Sequence, residues 1–381
     1  MRGNSESPRD GQEGTRIHSV ACIVPSHILR EIIQHGTETQ RDRAWGTLAT
    51  SEQIRGQRQT LVRAPVLGAV APGQKHRTVY DAQTGYDLPG VLVRSEGGPT
   101  STDPAVNEAY DGMGHTYDLY WEEFDRNSID DQGMPLDSTV HYGAGYDNAF
   151  WNGQQMVYGD GDEDLPEAER LFNRFTIALE IIGHELTHGV TQHEANLAYR
   201  SDSGALNESL SDVLGVLVKQ RLRNETADQA NWLIGDGLFT SNVNGVAIRS
   251  MKEPGTAYDD PILGKDPQPG HMDQYQDLPN WYDNGGVHIN SGIPNHAFYF
   301  VATEMGGYAW EKAGLIWYIT LRDRLRRNSD FQDAADKTFQ VAGELFGNGS
   351  AEQKAVTAGW ARVGITVAVG GGPPGRGKKA K

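Results

Sequence analysis

A chain of 381 residues, 37% of them hydrophobic, is long enough for two domains with substantial cores. Its 34 Lys and Arg against 51 Asp and Glu leave a formal charge of −17, which argues against nucleic acid or an anionic membrane surface as partner. No apolar run approaches the roughly 20 residues of a membrane span, and a lone cysteine, Cys22, excludes an internal disulfide framework.

In chain order, residues 1–15 are polar, lack the apolar stretch of a secretory signal peptide and read as a disordered start. Residues 21–36 suggest a short extended piece, then a helix opened at Pro25 and stopped at Gly36, with a second, charged helix expected over 37–48. This unit is too small to be stable alone, so it packs on the body or is removed from it. From about 59 to 164 the signals turn to strands, with β-rich runs at 78–86 and 90–98. A helix is expected over 105–127, with Tyr110, Tyr117, Tyr120, Trp121 and Phe124 on its buried side. Alternation over 139–162 suggests further strands, one of them an edge facing a cleft. After Asp164 the pattern is mainly helical to about Gly364, apart from a long loop region over 238–286. Residues 368–381 read as a flexible basic tail, and no internal repeat is evident.

The chemistry concentrates at His184-Glu185-Leu186-Thr187-His188. On a helix, residues four apart differ by about 40° in azimuth, so both imidazoles face one point and offer two ligands to a zinc ion. Glu185 projects beside that point, where a carboxylate can deprotonate a metal-bound water without being a ligand. Leu171, Phe172, Phe175, Leu179, Ile182 and Leu186 recur at steps of three and four, which places the motif on a long, largely buried helix. The competing reading, two core histidines held by hydrogen bonds, needs partners for both rings in that apolar setting.

Downstream, Leu206, Leu210, Val213, Leu214 and Leu217 fall at helical spacing, so Glu208 and Asp212 share the other face. Glu208 can complete a two-histidine, one-carboxylate site with its fourth position left for water. Asp212 can accept the remaining ring N–H of a ligand histidine. An acidic first helical turn is the alternative for this pair. Asp283 precedes His288 by five residues across Gly285-Gly286, a geometry in which the carboxylate orients an imidazole that donates to a developing oxyanion. The alternative there is a turn histidine with a local hydrogen bond. His141, His193, His271 and His296 read as structural.

Taken together, Asn148-Ala149-Phe150-Trp151, the run Tyr158 to Asp162, the 184–188 motif, Tyr199, the run Gly204 to Asp212, Arg249-Ser250-Met251 and the run Gly285 to Gly292 resemble the thermolysin family of zinc metallopeptidases, in its protealysin-like branch with a short propeptide. The resemblance covers about residues 22–363. It implies an α+β, thermolysin-like (gluzincin) fold of two domains: a β-rich amino-terminal domain, a mainly helical carboxy-terminal domain, and the zinc helix in the cleft between them. The divisions expected are a start and propeptide over 1–52, peptidase domains over 53–195 and 196–367, and the tail over 368–381.

Residue by residue, the resemblance implies one catalytic zinc on His184, His188 and Glu208, with Glu185 as the base that activates water. Tyr199 and His288 stabilise the oxyanion, Asp283 orients His288, and Asp212 and Asn207 support the ligand histidines. Asn148 and Ala149 hold the substrate backbone, and Arg249 contacts a substrate carbonyl on the primed side. Phe175, Ile181 and Ile248 form the apolar S1′ pocket, so endopeptidase cleavage is expected on the amino-terminal side of bulky hydrophobic residues in protein or peptide substrates. A catalytically inactive relative that binds peptides is the alternative.

Two departures from the family pattern stand out. Lys219 and Leu233 replace acids of the family's double calcium site, which is therefore expected to be lost, with Lys219 neutralising Glu180; calcium elsewhere, at Asp160, Asp162 and Asp164, is a separate possibility. Pro25-Ser26-His27 stands where the branch more often has two prolines, in a propeptide expected to plug the cleft until cleavage between residues 50 and 59. Cys22 offers either a thiolate to zinc in the latent form or a buried inert thiol. The resemblance favours secretion, here without a classical signal peptide, with a cytoplasmic location as the alternative, and a monomer is expected.

Overall fold

The computed structural model describes residues 22–58 and 70–368. The expected polar start, the end of the expected 50–59 cleavage region and the basic tail lie outside the described residues. The amino-terminal pair of helices forms as the sequence suggests. Helix α1, Ser26–His35, begins after Pro25, whose ring fixes a helix-entry φ of −64°, and ends at Gly36. Helix α2, Glu38–Arg58, runs past residue 48 and through residue 52 without a break.

Strands β1, Arg77–Asp81, and β2, Val91–Ser95, pair antiparallel. Helix α3, Pro104–Phe124, is capped by the Asp103 carboxylate and closed by Asp125 in the left-handed region. Strands β3, Leu136–Val140, β4, Ala149–Trp151, and β5, Met156–Tyr158, complete a five-stranded mixed sheet in the order β2-β1-β3-β5-β4. β4 is therefore an edge strand, as the alternation suggested, and its outer side is paired to Cys22 through a bridge at Phe150.

Helix α4, Leu179–His193, carries the histidine motif, and α5, Ser201–Arg223, carries Glu208 and Asp212. The apolar spacing had suggested a helix extending back toward Leu171, but Leu171 and Phe172 are extended and Phe175 lies in a single 3₁₀ turn. The reason is local. Asp162 accepts the backbone N–H groups of Leu171 and Phe172, and Gly159 accepts that of Phe175, so these donors are committed to loop partners rather than to a helix. α4 and α5 approach closely through glycines. A Cβ on Gly215 would lie 2.5 Å from the Glu180 carbonyl, and one on Gly183 would lie 3.0 Å from the Gly215 Cα.

The loop region holds two short ribbons, β6, Leu233–Ile234, with β7, Arg249–Ser250, and β8, Asp259–Asp260, with β9, Gly264–Lys265. Then come α6, Asp283–Asn290, α7, Gly292–Met305, α8, Ala313–Ile319, α9, Phe331–Phe346, and α10, Ala351–Arg362. One core runs through both halves: Tyr120, Ile182, Leu214, Phe298 and Trp317 are buried in a single cluster. No helix among the described residues is long and apolar enough to cross a membrane.

His141 is structural, as its sequence context suggested. Its two ring nitrogens lie 2.7 Å from Asp103 and 2.9 Å from Asp160, tying the cap of α3 to the loop after β5. The hydrogen bond to Asp160, against a smaller opposing effect of burial, raises its pKa to about 9. Because the folded value exceeds the ordinary 6.5, the stabilisation from this charge is fully present below about pH 6.5 and is lost as pH rises through about 9. The stability difference between wild type and His141→Gln, followed by urea unfolding at a series of pH values, is expected to be largest near about pH 6 and to shrink steadily toward about pH 9.5.

Candidate active site

His184 and His188 project from one face of α4 onto Glu208 of α5, and all three are buried. Each imidazole has its Nδ1 engaged by an acceptor: His184 with Asp212 Oδ1 at 2.8 Å, His188 with Asn207 Oδ1 at 2.8 Å. Each Nδ1 therefore carries the proton, and both Nε2 lone pairs point inward, 2.9 Å apart. Burial holds His188 down at about 3, so its ring is neutral. Glu208 reaches both Nε2 atoms at 3.5 Å, and its buried Oε2 accepts no hydrogen bond. Two lone pairs and a carboxylate facing one point repel unless a cation lies between them, and this donor set suits a divalent zinc ion with one coordination position open.

Among the described residues, this is the one group of three or more His, Cys, Asp or Glu with metal-ligand spacing. Asp160, Asp162 and Asp164 form no such cluster. Asp160 faces His141, while Arg43 of α2 makes paired contacts of 2.8 and 2.6 Å to Asp164 and lies 3.5 Å from Asp162.

Asp212 binds more than its histidine. Its Oδ1 also accepts from Arg249 Nη2 at 2.8 Å, and its Oδ2 accepts from Arg249 Nε at 2.9 Å and from Asn295 at 2.8 Å. Burial alone would raise this carboxyl, but Arg249 and His184 outweigh it and hold it well below its ordinary value. Glu185 is buried beside the pair of histidines, with Oε2 accepting the backbone N–H of Trp151 at 3.0 Å.

Across the site, Tyr199 donates to Glu208 Oε1 and lies 3.2 Å from His288 Nε2. Asp283 accepts both the backbone N–H of His288, at 2.8 Å, and its Nδ1, at 2.6 Å. Burial opposes the charged imidazole, yet the Asp283 and Glu208 carboxylates together raise the pKa of His288. The turn that allows this has φ of +83° and +81° at Gly285 and Gly286, and a Cβ at Gly285 would meet Ser201 Oγ at 2.8 Å.

Residues 22–24 lie along β4, with Cys22 bridged to Phe150 and a bend at Ile23 and Val24. Ile23 N–H donates to the Ala149 carbonyl at 3.2 Å, Val24 N–H donates to Asn148 Oδ1 at 2.9 Å, and Asn148 Nδ2 returns a bond to the Val24 carbonyl at 3.3 Å. Arg249 Nη1 donates to the Ile23 carbonyl at 3.2 Å. Phe175, Ile181, Ile248 and Ile23 are all buried in the hydrophobic core that runs through the protein. Cys22 instead packs with Tyr142, Tyr146, Phe150 and Val157, the environment of an apolar buried thiol.

Contacts thus link His184, His188, Glu208, Asp212, Asn207, Tyr199, His288, Asp283, Arg249, Asn148 and Ala149 with one another or with residues 22–24, and Glu185 with Trp151. The reading of the chain missed Ser211, whose hydroxyl lies 3.1 Å from His188 Nδ1, Asn295, and the Trp151 backbone donor. Ser211 stands four residues after Asn207, so its place on the same helical face was available. Nothing local to Asn295 announces its contact.

With this geometry in view, comparisons with known proteins agree on one relationship. Residues 71–192 match the family model for the thermolysin metallopeptidase catalytic domain, and residues 195–365 match the model for its alpha-helical domain. An extracellular metalloprotease of Pectobacterium carotovorum subsp. carotovorum is 49% identical over 91% of this chain and 97% of its own length. Protease PrtS of Photorhabdus sp. is 47% identical over 91% and 92%. Among solved structures, the precursor of protealysin, a metalloproteinase from Serratia proteamaculans, superposes with a TM-score of 0.82 at 50% identity, over 91% of this chain and 100% of the other.

Replacing Asp212 by Asn keeps the shape of the side chain but removes the charge between His184 and Arg249. Zinc affinity, measured by competition with a chelator, is expected to fall about 10–100-fold. Leaving the Arg249 guanidinium buried without its counter-charge is expected to cost about 3–5 kcal/mol in urea unfolding.

Proposed function

Because the chain belongs to the thermolysin family of zinc metallopeptidases and is a metalloendopeptidase, we propose that it is made as a self-processing zymogen that hydrolyses peptide bonds on the amino-terminal side of bulky hydrophobic residues. The observation that carries the reading is the convergence of His184, His188 and Glu208 with Glu185 alongside. Those three residues would hold a zinc ion, which would supply Lewis acidity for the scissile carbonyl and for the attacking water.

The remaining work falls to side chains. Glu185, oriented by the Trp151 N–H, takes the proton of the attacking water and delivers it to the departing amine nitrogen. Tyr199 Oη and His288 Nε2 donate to the oxyanion, with Asp283 holding the imidazole in place. Asn148 and Ala149 pair with the substrate backbone, Arg249 grips a carbonyl on the primed side, and Phe175, Ile181 and Ile248 receive the apolar side chain after the cut bond. No covalent enzyme intermediate is required.

The propeptide, about residues 1–52, acts on this reading as an intramolecular inhibitor, since its residues 22–24 use the backbone donors and acceptors a substrate needs. It is removed by cleavage between residues 50 and 59. The protein acts as a monomer, and the extracellular designation of relatives supports secretion. Lys219 substitutes for the double calcium site: its ammonium lies 3.2 Å from Glu180 and donates to the Leu233 carbonyl at 2.8 Å, with both side chains buried.

For the lysine, Lys219→Met is expected to cost about 3–5 kcal/mol in thermal or urea unfolding, and added calcium is expected to leave the wild-type melting temperature unchanged; strong stabilisation by calcium overturns the substitution idea. For the enzyme, wild type and Glu185→Gln are compared on a blocked internal Gly-Leu peptide. The variant is expected to retain its zinc and full length while losing about 10²–10⁴-fold in kcat. A wild type that binds zinc, is trimmed by another protease, and still does not cut refutes the endopeptidase reading.

A further inference from the structure

The segment in the cleft is held in a register that singles out one bond. Of its carbonyl groups, that of Cys22 lies 3.0 Å from His288 Nε2, the nitrogen that also faces Tyr199 Oη at 3.2 Å and Glu208 Oε2 at 3.5 Å. The next carbonyl, on Ile23, is taken by Arg249, and the N–H groups of Ile23 and Val24 are taken by Ala149 and Asn148. The residue after the Cys22 carbonyl is a branched apolar one and is fully buried in the hydrophobic core. The chain therefore lies against β4 in the manner of a substrate, with the Cys22 carbonyl at the nitrogen of His288 that also faces Tyr199 and Glu208.

We propose that the Cys22–Ile23 peptide bond is itself a cleavage site, cut by the same molecule once zinc is bound, so that the plug is a slow substrate as well as an inhibitor. This rests on the endopeptidase reading above. Water adds its oxygen to the Cys22 carbonyl carbon, the C–N bond to Ile23 breaks, and both protons of the water end on the Ile23 nitrogen. The products are a carboxylate on Cys22 and an ammonium on Ile23, with no change in oxidation state. The new amino terminus does not leave at once. α1 and α2 remain anchored through the 3.1 Å contact of His27 with Tyr258 and the clamp of Arg43 on Asp164. Cutting here precedes loss of the rest of the propeptide and replaces a bound substrate by a more weakly held product.

The test uses the full chain, purified free of metal, as wild type, Glu185→Gln and Ile23→Asp, then loaded with zinc across a dilution series. Intact mass and amino-terminal sequencing are expected to show a species beginning at Ile23, formed by wild type at a rate independent of protein concentration and not formed by Glu185→Gln. Ile23→Asp puts a charge into the apolar pocket and is expected to slow this cut about ten-fold or more; Ile23→Ala, a milder change, slows it less. A readout without turnover accompanies these. In zinc-loaded Glu185→Gln, the amides of Ile23 and Val24 are expected to exchange about a hundred-fold more slowly than exposed ones, and Ile23→Asp in the same background removes that protection. If wild type cuts a blocked peptide and trims itself at 50–59 while Cys22–Ile23 stays intact, or if the Ile23 species forms only at high concentration, this inference is overturned and the endopeptidase reading stands. If neither the blocked peptide nor any bond of the chain is cut, the endopeptidase reading fails with it.

Discussion

The carboxylate of Asp212 is the interaction on which the cleft depends. It is buried, and its two oxygens accept four hydrogen bonds, from His184, twice from Arg249 and from Asn295. A buried charge is tolerable only when its lone pairs are filled, so these partners are fixed in position by the cost of leaving any one of them out. The consequences reach in three directions. His184 is held in one tautomer with its lone pair toward the other ligands, Arg249 is aimed at the chain in the cleft, and α7 is locked to α5 through Asn295.

That arrangement needs α4 and α5 closer than ordinary side chains permit. Gly183 and Gly215 allow it, and the adjoining Glu180 carboxylate, which accepts the N–H groups of Gly235 and Asp236, is met by the Lys219 ammonium. A backbone contact, a charge pair and the ligand geometry thus stabilise one another. Glu185 of α4 and Glu208 of α5 are both fully buried near this junction. Glu185 is bound by a backbone donor from the edge strand and Glu208 by the Tyr199 hydroxyl, so the two carboxylates are held apart in different surroundings.

The edge strand β4 links the catalytic groups to the amino-terminal segment. Its outer side would present unpaired backbone groups, which Cys22 and Ile23 meet through one bridge to Phe150 and a hydrogen bond to the Ala149 carbonyl. Affinity there comes from main-chain bonds and from burial of Ile23, while α1, α2 and the Arg43 clamp supply a tether that makes the association intramolecular. The Cys22 side chain turns into the aromatic cluster of Tyr142, Tyr146 and Phe150, and its carbonyl, rather than its thiol, is what meets His288.

The sequence by itself determined whatever depends on spacing along one element. The four-residue steps from His184 to His188 and from Glu208 to Asp212 place their side chains on single helical faces. Pro25 and Gly36 bound α1, and Asp283 reaches His288 across two glycines that can adopt positive φ. The fold class was legible through the family resemblance of the combined motifs, which also implied the remaining site residues. Only the tertiary structure decided the contacts between elements distant in sequence: Asn295 on Asp212, the Trp151 N–H on Glu185, Arg43 among the carboxylates near Asp164, and the register in which Cys22 and Ile23 lie across the cleft. It also shortened the zinc helix, because Asp162 and Gly159 claim backbone donors that the apolar periodicity alone assigned to it. Periodicity reports which face of a segment is apolar. Which partner takes each buried polar group is a question of packing, and it is answered only when the elements meet.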